Sequence, residues 1–244
     1  MVDNTTGTGY VFLALIDGNF MSIVNTREKT INTKIVYYGP GLGGKTTSLK
    51  FIHSVLDPEQ KVNMVSLKTD EERTLFFDFV PIDLGMLGGY KVKIQGFTVP
   101  GQVKYNLTRK YVLMGADAVV FVADSSADRL EDNLQSMKNL GENLEANGLD
   151  VNEVPLVLQF NKRDLPSALD LEEMEAQLNF RSVESFATQA HTGEGVFEAF
   201  TKASADMLRA VARKYQLESS QGDVGDLVRA HLDSFDPKAP SAKN

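Results

Sequence analysis

Apolar positions follow two rhythms along this chain. Residues 118–123 and 155–160 are near-continuous apolar runs, the pattern of strands buried on both faces of a parallel sheet. Shorter runs at 33–38, 75–82, 90–97 and 183–187 predict further strands. Between them the period lengthens. Residues 45–56 repeat apolar side chains at Leu49, Ile52 and Leu56 and stop before Pro58, which predicts a helix. Residues 130–147, ending before Gly148, residues 171–178 and the amphipathic stretch 196–215 predict three more. Strands alternating with helices argue an α/β fold with a mostly parallel central sheet covered by helices on both faces.

Both ends break the pattern. Residues 1–20 precede the first strand–loop–helix unit and read as an N-terminal extension. Residues 21–217 form the domain. Residues 218–244 read as a linker, one short helix over 223–235 carrying Val224, Leu227, Val228 and Leu232 on one side, and a disordered tail with two prolines. Docking of that helix on its own domain is expected ahead of docking on a partner.

Composition narrows the function. A net charge of −8 without any basic run argues against nucleic acid as a ligand. The absence of cysteine excludes disulfides, thiolate metal sites and cysteine-borne lipid anchors, so no direct membrane tether is expected, and a cytoplasmic setting is. No apolar stretch reaches the length of a membrane span. His53, His191 and His231 are scattered without zinc spacing, and His53 reads as structural.

Two motifs carry chemistry. Gly39-Pro40-Gly41-Leu42-Gly43-Gly44-Lys45-Thr46 has the spacing of a phosphate-binding loop and sits where that loop belongs, after a β-branched strand and before an amphipathic helix. Glycines let backbone N–H groups of Gly39, Gly41, Leu42, Gly43 and Gly44, on through Thr47, close on phosphates, and the helix adds its positive end. Lys45 reaches the β- and γ-phosphates, and the Thr46 hydroxyl joins a Mg²⁺ shell. Pro40 has no N–H to give. The second motif, Asn161-Lys162-Arg163-Asp164, follows a buried strand, where α/β sheets bind ligands. The Asp164 carboxylate can accept from guanine N1–H and its 2-amino group, donors that adenine lacks. Asn161 can brace the neighbouring loops, and the Lys162 stem can cover the base. GTP and GDP are therefore the expected ligands, with an ATPase disfavoured.

These elements, in this order, resemble the Ras-like small GTPases. Thr188-Gln189-Ala190-His191-Thr192-Gly193 looks like that family's third base-pocket loop, which implies that Ala190 N–H contacts guanine O6, while His191 replaces the usual lysine. Thr98-Val99-Pro100-Gly101-Gln102 stands as the second switch. The resemblance implies that the Gly101 N–H meets the γ-phosphate and that Gln102 orients the attacking water, while Thr98 replaces the usual metal-orienting aspartate.

A closer resemblance, to bacterial MglA, a Ras-like GTPase of cell polarity and motility, is carried by Glu72-Arg73-Thr74-Leu75-Phe76-Phe77-Asp78-Phe79 with Thr98–Gln102 and Lys34-Ile35-Val36-Tyr37-Tyr38-Gly39-Pro40-Gly41, over residues 21–215. It implies that Arg73 is an arginine finger supplied in cis, with Lys45 and Gln102 completing the catalytic set. Thr74 would stand near Mg²⁺ and the γ-phosphate. It also implies an MglB-like roadblock GAP dimer, an exchange factor, polarity or motility effectors, recruitment to a cell pole by partners, and a monomeric chain on its own. From the residues alone, a solvated surface arginine beside Glu71 and Glu72 is the favoured reading of Arg73. Asp78 interrupts an apolar run, which is costly unless it is paired or serves a metal; it either replaces the carboxylate missing at Thr98 or faces solvent from an edge strand. Phe76, Phe77 and Phe79 read as core. The resemblance further implies that the strand at 75–82 changes register between nucleotide states. A slow GTPase switch is the leading expectation, with a nucleotide-dependent scaffold of negligible turnover as the alternative.

Overall fold

The computed structural model describes residues 23–59, 64–67, 77–217 and 222–235, without the side chains of residues 23, 65–67 and 103. Eight strands form one sheet among the described residues: β1 (Ile23–Asn25), β2 (Thr30–Tyr38), β3 (Val65–Leu67), β4 (Phe77–Leu87), β5 (Tyr90–Thr98), β6 (Ala118–Asp124), β7 (Leu156–Asn161) and β8 (Ser185–Thr188). Their order is β3-β4-β5-β2-β6-β7-β8. The strands from β5 to β8 in that order run parallel, while β4 pairs antiparallel with β5 and β3 antiparallel with β4. β1 folds back antiparallel along Thr30–Asn32, the part of β2 that β6 does not reach. The helices are α1 (Lys45–Leu56), α2 (Asn106–Leu113), α3 (Leu130–Glu145), α4 (Leu171–Leu178), α5 (Val196–Tyr215) and α6 (Val224–Asp233).

Strand alternation splits the core in two. On one face Ile35, Tyr37, Val120 and Val122 pack with Leu49 and Ile52 of α1 and with Phe197, Phe200 and Met207 of α5. On the other, Val36, Tyr38, Val119 and Phe121 pack with Val112 of α2, Leu140 and Leu144 of α3, and Met174 and Leu178 of α4. Residues 119–123 read as an unbroken apolar run because both of their faces meet helices.

Several boundaries differ from the sequence expectation. β2 begins at Thr30, where β1 supplies a partner. β4 is described from Phe77 and continues past Ile82 to Leu87, passing a bulge between Asp83 and Gly85 where Gly85 takes φ +70°. Gly85 supplies the kink that lets the hairpin to β5 run on. β8 is Ser185–Thr188 and α3 stops at Glu145. Phe77 is buried and Phe79 half-buried, its ring centre 4.9 Å from that of Phe97. His53 lies 3.6 Å from Asp57 within α1 and its C-cap.

α6 packs along α5, with Val224, Val228 and Leu232 in the same apolar cluster as Leu84, Leu87 and Leu208. The Asp223 side chain caps its N-terminus through Asp226 N–H, and Arg209 of α5 pairs with Asp206, Asp223 and Asp226. The helix is thus docked on this chain.

Candidate functional site

The C-terminal ends of β2, β5, β6, β7 and β8 open onto one edge of the sheet, and the first residues of antiparallel β4 join them there. The loop from Gly39 to Gly44 leaves β2 and enters α1. Its curl is held by Lys45, whose Nζ donates to Gly39 O at 3.1 Å and Pro40 O at 2.6 Å. Burial pushes the Lys45 ammonium down to about 7; the Arg109 charge pushes the same way and the Asp78 carboxylate opposes it. An anion in the loop would reverse that balance. No side chain caps the α1 N-terminus, so its first N–H groups remain for a ligand, the arrangement that favours phosphate.

Asn161 at the end of β7 ties three loops together. Its Nδ2 donates to Gly43 O at 2.8 Å, and its Oδ1 accepts from Ala190 N at 2.8 Å and Thr188 Oγ1 at 3.2 Å. The contact with the phosphate loop depends on Gly44, which takes φ +107°; a Cβ there would stand 2.1 Å from Asn161 Nδ2. Beside this bridge opens a cleft of about 230 Å³, lined by Leu42, Thr47, Lys162, Asp164, Ala190 and His191 among others. Ala190 is buried, whereas Asp164 and His191 are exposed at the rim. Lys162 adopts φ +67° and its Nζ lies 2.5 Å from Asp124 Oδ2.

At the other end of the phosphate loop, Asp78 Oδ2 accepts from Thr46 Oγ1 at 2.5 Å and from Thr98 Oγ1 at 2.9 Å, and Thr98 Oγ1 in turn accepts from Asp78 N at 2.9 Å. Asp78 therefore does not face solvent from an edge strand. It is half-buried, with β3 on its far side, and it holds the threonine that stands in an aspartate's usual place. Two hydroxyls and a carboxylate form a hard-oxygen set that suits Mg²⁺, which takes one or two carboxylates alongside phosphate and water. No group of three or more His, Asp or Glu side chains gathers as a metal cage among the described residues.

Gly101 packs on the phosphate loop so closely that a Cβ would lie 2.2 Å from Gly41 Cα. Gln102 is exposed at the start of the 3₁₀ turn Val103–Tyr105. Arg73 and Thr74 lie outside the described residues.

Three residues in the site had no place in the motifs. Arg129 Nη2 donates to Gly41 O at 2.9 Å, and its Nη1 lies 2.7 Å from Asp132. Asp124, 1% exposed, accepts from Ser126 N and binds Lys162. A carboxylate closing an apolar strand was the signal for Asp124. Arg129 reads as an ordinary charged residue at a helix start, and Arg109 as one on a solvated face.

Comparison with known proteins agrees with this geometry. The profile of the ADP-ribosylation factor family matches residues 20–207. The mutual gliding-motility protein MglA of Myxococcus xanthus (strain DK1622) is 48% identical over 202 residues, covering 83% of this chain and 100% of that protein. ADP-ribosylation factor-like protein 6 of Caenorhabditis elegans is 28% identical over 179 residues, covering 69% of this chain and 90% of that protein.

Proposed function

The chain belongs to the ADP-ribosylation factor family, and from that premise we propose that this GTPase is a slow switch, completed by a partner, that controls cell polarity or motility. One observation carries the reading: a single side chain, Asn161, joins the phosphate loop to the Ala190 loop across a cleft rimmed by Asp164. A guanine nucleotide fits that arrangement with its base against Asp164, Lys162, Ala190 and His191. Its phosphates would lie along Gly39–Thr47 with Lys45, and its γ-phosphate near Gly101 and Thr74. Mg²⁺ would be held by Thr46, Thr74 and Asp78 and would supply charge neutralisation between the β- and γ-phosphates. Arg73 would neutralise charge on the phosphoryl group in flight, since its charge is permanent and its donors form a fixed fork, and Gln102 would orient the attacking water.

An MglB-like roadblock GAP dimer, an exchange factor and polarity or motility effectors are the proposed partners, and the relative named for mutual gliding motility supports the motility role. No helix among the described residues is long and apolar enough to cross a membrane, so any polar position is proposed to come from those partners, with the chain a monomer between encounters.

The test is GTP hydrolysis by the purified chain, with and without a roadblock-type GAP, beside Arg73→Ala and Gln102→Leu. The expected result is slow turnover that the GAP accelerates, with both variants binding GTP but losing the acceleration. Tight GTP binding with background turnover even under the GAP, unchanged in the variants, replaces the switch with a nucleotide-dependent scaffold.

A further inference from the structure

Arg109 is the largest fully buried side chain described in the protein, and it is a cation. It sits on the inner side of α2, a few residues after Gly101–Gln102. Its guanidinium lies 4.3 Å from the centre of the Tyr38 ring. Nε donates to Tyr38 Oη at 2.9 Å, Nη1 to Gly101 O at 3.1 Å and Nη2 to Ser136 Oγ at 2.7 Å. All three acceptors are neutral, and among the described residues no carboxylate lies in ion-pair range of it. Burying a charge without an opposite charge is costly, and neutral hydrogen bonds return only part of the cost. The surroundings do not relax to remove it. Tyr38 Oη is itself fixed by donating to Asn139 Oδ1 at 2.7 Å and accepting from Asn143 Nδ2 at 2.9 Å, and both asparagines donate to Asn106 Oδ1 at 2.8 Å. This network pins α2 to α3 and to the last residue of β2 before the phosphate loop.

The position of the charge suggests what it serves. Arg109 donates to Gly101 O, and Gly101 presses on Gly41, so the charge reaches the phosphate loop through one packed turn. An anion held in that loop would offset part of the charge. The contact with Gly101 adds direction. A cationic donor on the Gly101 carbonyl polarises the Gly101–Gln102 peptide and fixes a turn already pressed on Gly41.

We infer that Arg109 is a positioning residue for GTP hydrolysis: from inside the protein it holds the Gly101–Gln102 turn against the phosphate loop, and its charge, which no carboxylate among the described residues pairs, favours the triphosphate over the diphosphate. The inference rests on the proposed reading of the site. Arg109 acts through Gly101, without touching the nucleotide.

The experiment compares wild type with Arg109→Met, Arg109→Lys and Ser136→Ala. Single-turnover GTP hydrolysis is measured together with affinities for GDP and a non-hydrolysable GTP analogue. Arg109→Met is expected to lower turnover by about a hundredfold, the scale of losing an oriented donor. It should weaken the analogue about tenfold against GDP, an ordinary coupling magnitude. Arg109→Lys restores the analogue-to-GDP ratio, because the charge remains, but not turnover, because the fork is gone. Ser136→Ala loosens one anchor and lowers turnover about threefold to tenfold, the value of one lost hydrogen bond, with GDP affinity unchanged. This gentler variant and the lysine decide the matter if the methionine variant does not fold. Unchanged turnover and an unchanged affinity ratio in folded variants overturn the inference and leave Arg109 a packing residue. A wild type that binds GTP without turning it over sinks the switch reading instead, and the affinity ratio then judges Arg109 alone.

Discussion

At the residue scale, exposure decides what a charge can do. Asp164 stands at the rim of the cleft, where water screens it, so its value lies in geometry and not in field strength. Two carboxylate oxygens match two adjacent donors on guanine. Asp164→Asn keeps one acceptor and sets an amide N–H against the guanine 2-amino group, so guanine binding should fall at least about a hundredfold. Xanthine, with a carbonyl at that position, should gain. Competition of GDP and XDP against a fluorescent guanine nucleotide reads this, and an unchanged order of preference would remove Asp164 from the base pocket. Lys34 shows the opposite regime. The residue is 1% exposed, and its ammonium donates to Met114 O at 2.9 Å and lies 4.7 Å from the Phe97 ring centre. Burial outweighs the attraction of Asp117 and lowers it from 10.5 to about 7. Between those values the unfolded chain keeps a proton that the folded chain has released, so stability rises with pH across the window, by at most about 1.4 kcal/mol per unit. Lys34→Met should flatten that rise in urea unfolding at pH 7, 8 and 9. Parallel curves for the two proteins would mean that Lys34 stays charged when folded.

At the element scale, the sequence is legible where pattern and environment agree. The strands at 118–123 and 155–160 and the helices at 45–56 and 196–215 carry apolar side chains where the core is. α2 is mixed: Leu107 is 67% and Tyr111 47% exposed, while Arg109 is fully buried beside Val112 and Leu113, so its apolar positions do not mark the buried face cleanly. β1 and β3 are too short to leave a pattern. The phosphate loop and the base-pocket motif are local in sequence and could be read directly. The Asp78–Thr46–Thr98 contact joins residues on three elements, and only strand pairing reveals it. α6 is legible from its apolar stripe, and its two means of attachment are unequal. Arg209 meets Asp223 and Asp226 where these are 48% and 73% exposed, so Arg209→Ala should cost under about 1 kcal/mol. Leu232 is fully buried, and Leu232→Ala should cost about 3 kcal/mol. Chemical denaturation of both variants tests the ranking, and the reverse order would make the ionic latch the dominant attachment.

At the scale of the whole molecule, the two ends of α5 serve different purposes. Its N-terminus follows the Ala190 loop, while Arg209 holds α6 thirteen residues after Val196, about 20 Å along the helix at the usual rise. The helix is long and buried along its inner face, so it separates the cleft from α6 without obvious means of transmitting a small shift between them. Deleting residues 218–244 should therefore lower stability and leave nucleotide binding intact. If Leu232 alone is worth about 3 kcal/mol, the helix is worth at least that, and at about 2–4 °C per kcal/mol the thermal midpoint should fall by at least about 6 °C. GDP at a free concentration of a hundred times its Kd should then raise the midpoint of both the full and the shortened chain by the same free energy, about 2.7 kcal/mol, because ligand linkage depends only on affinity for the folded state. Scanning calorimetry of both chains with and without GDP separates the two effects. An equal GDP increment on a lower baseline makes α6 a brace on the fold. A smaller increment in the shortened chain would mean that α6 and the cleft are coupled through α5 or the β4–β5 hairpin.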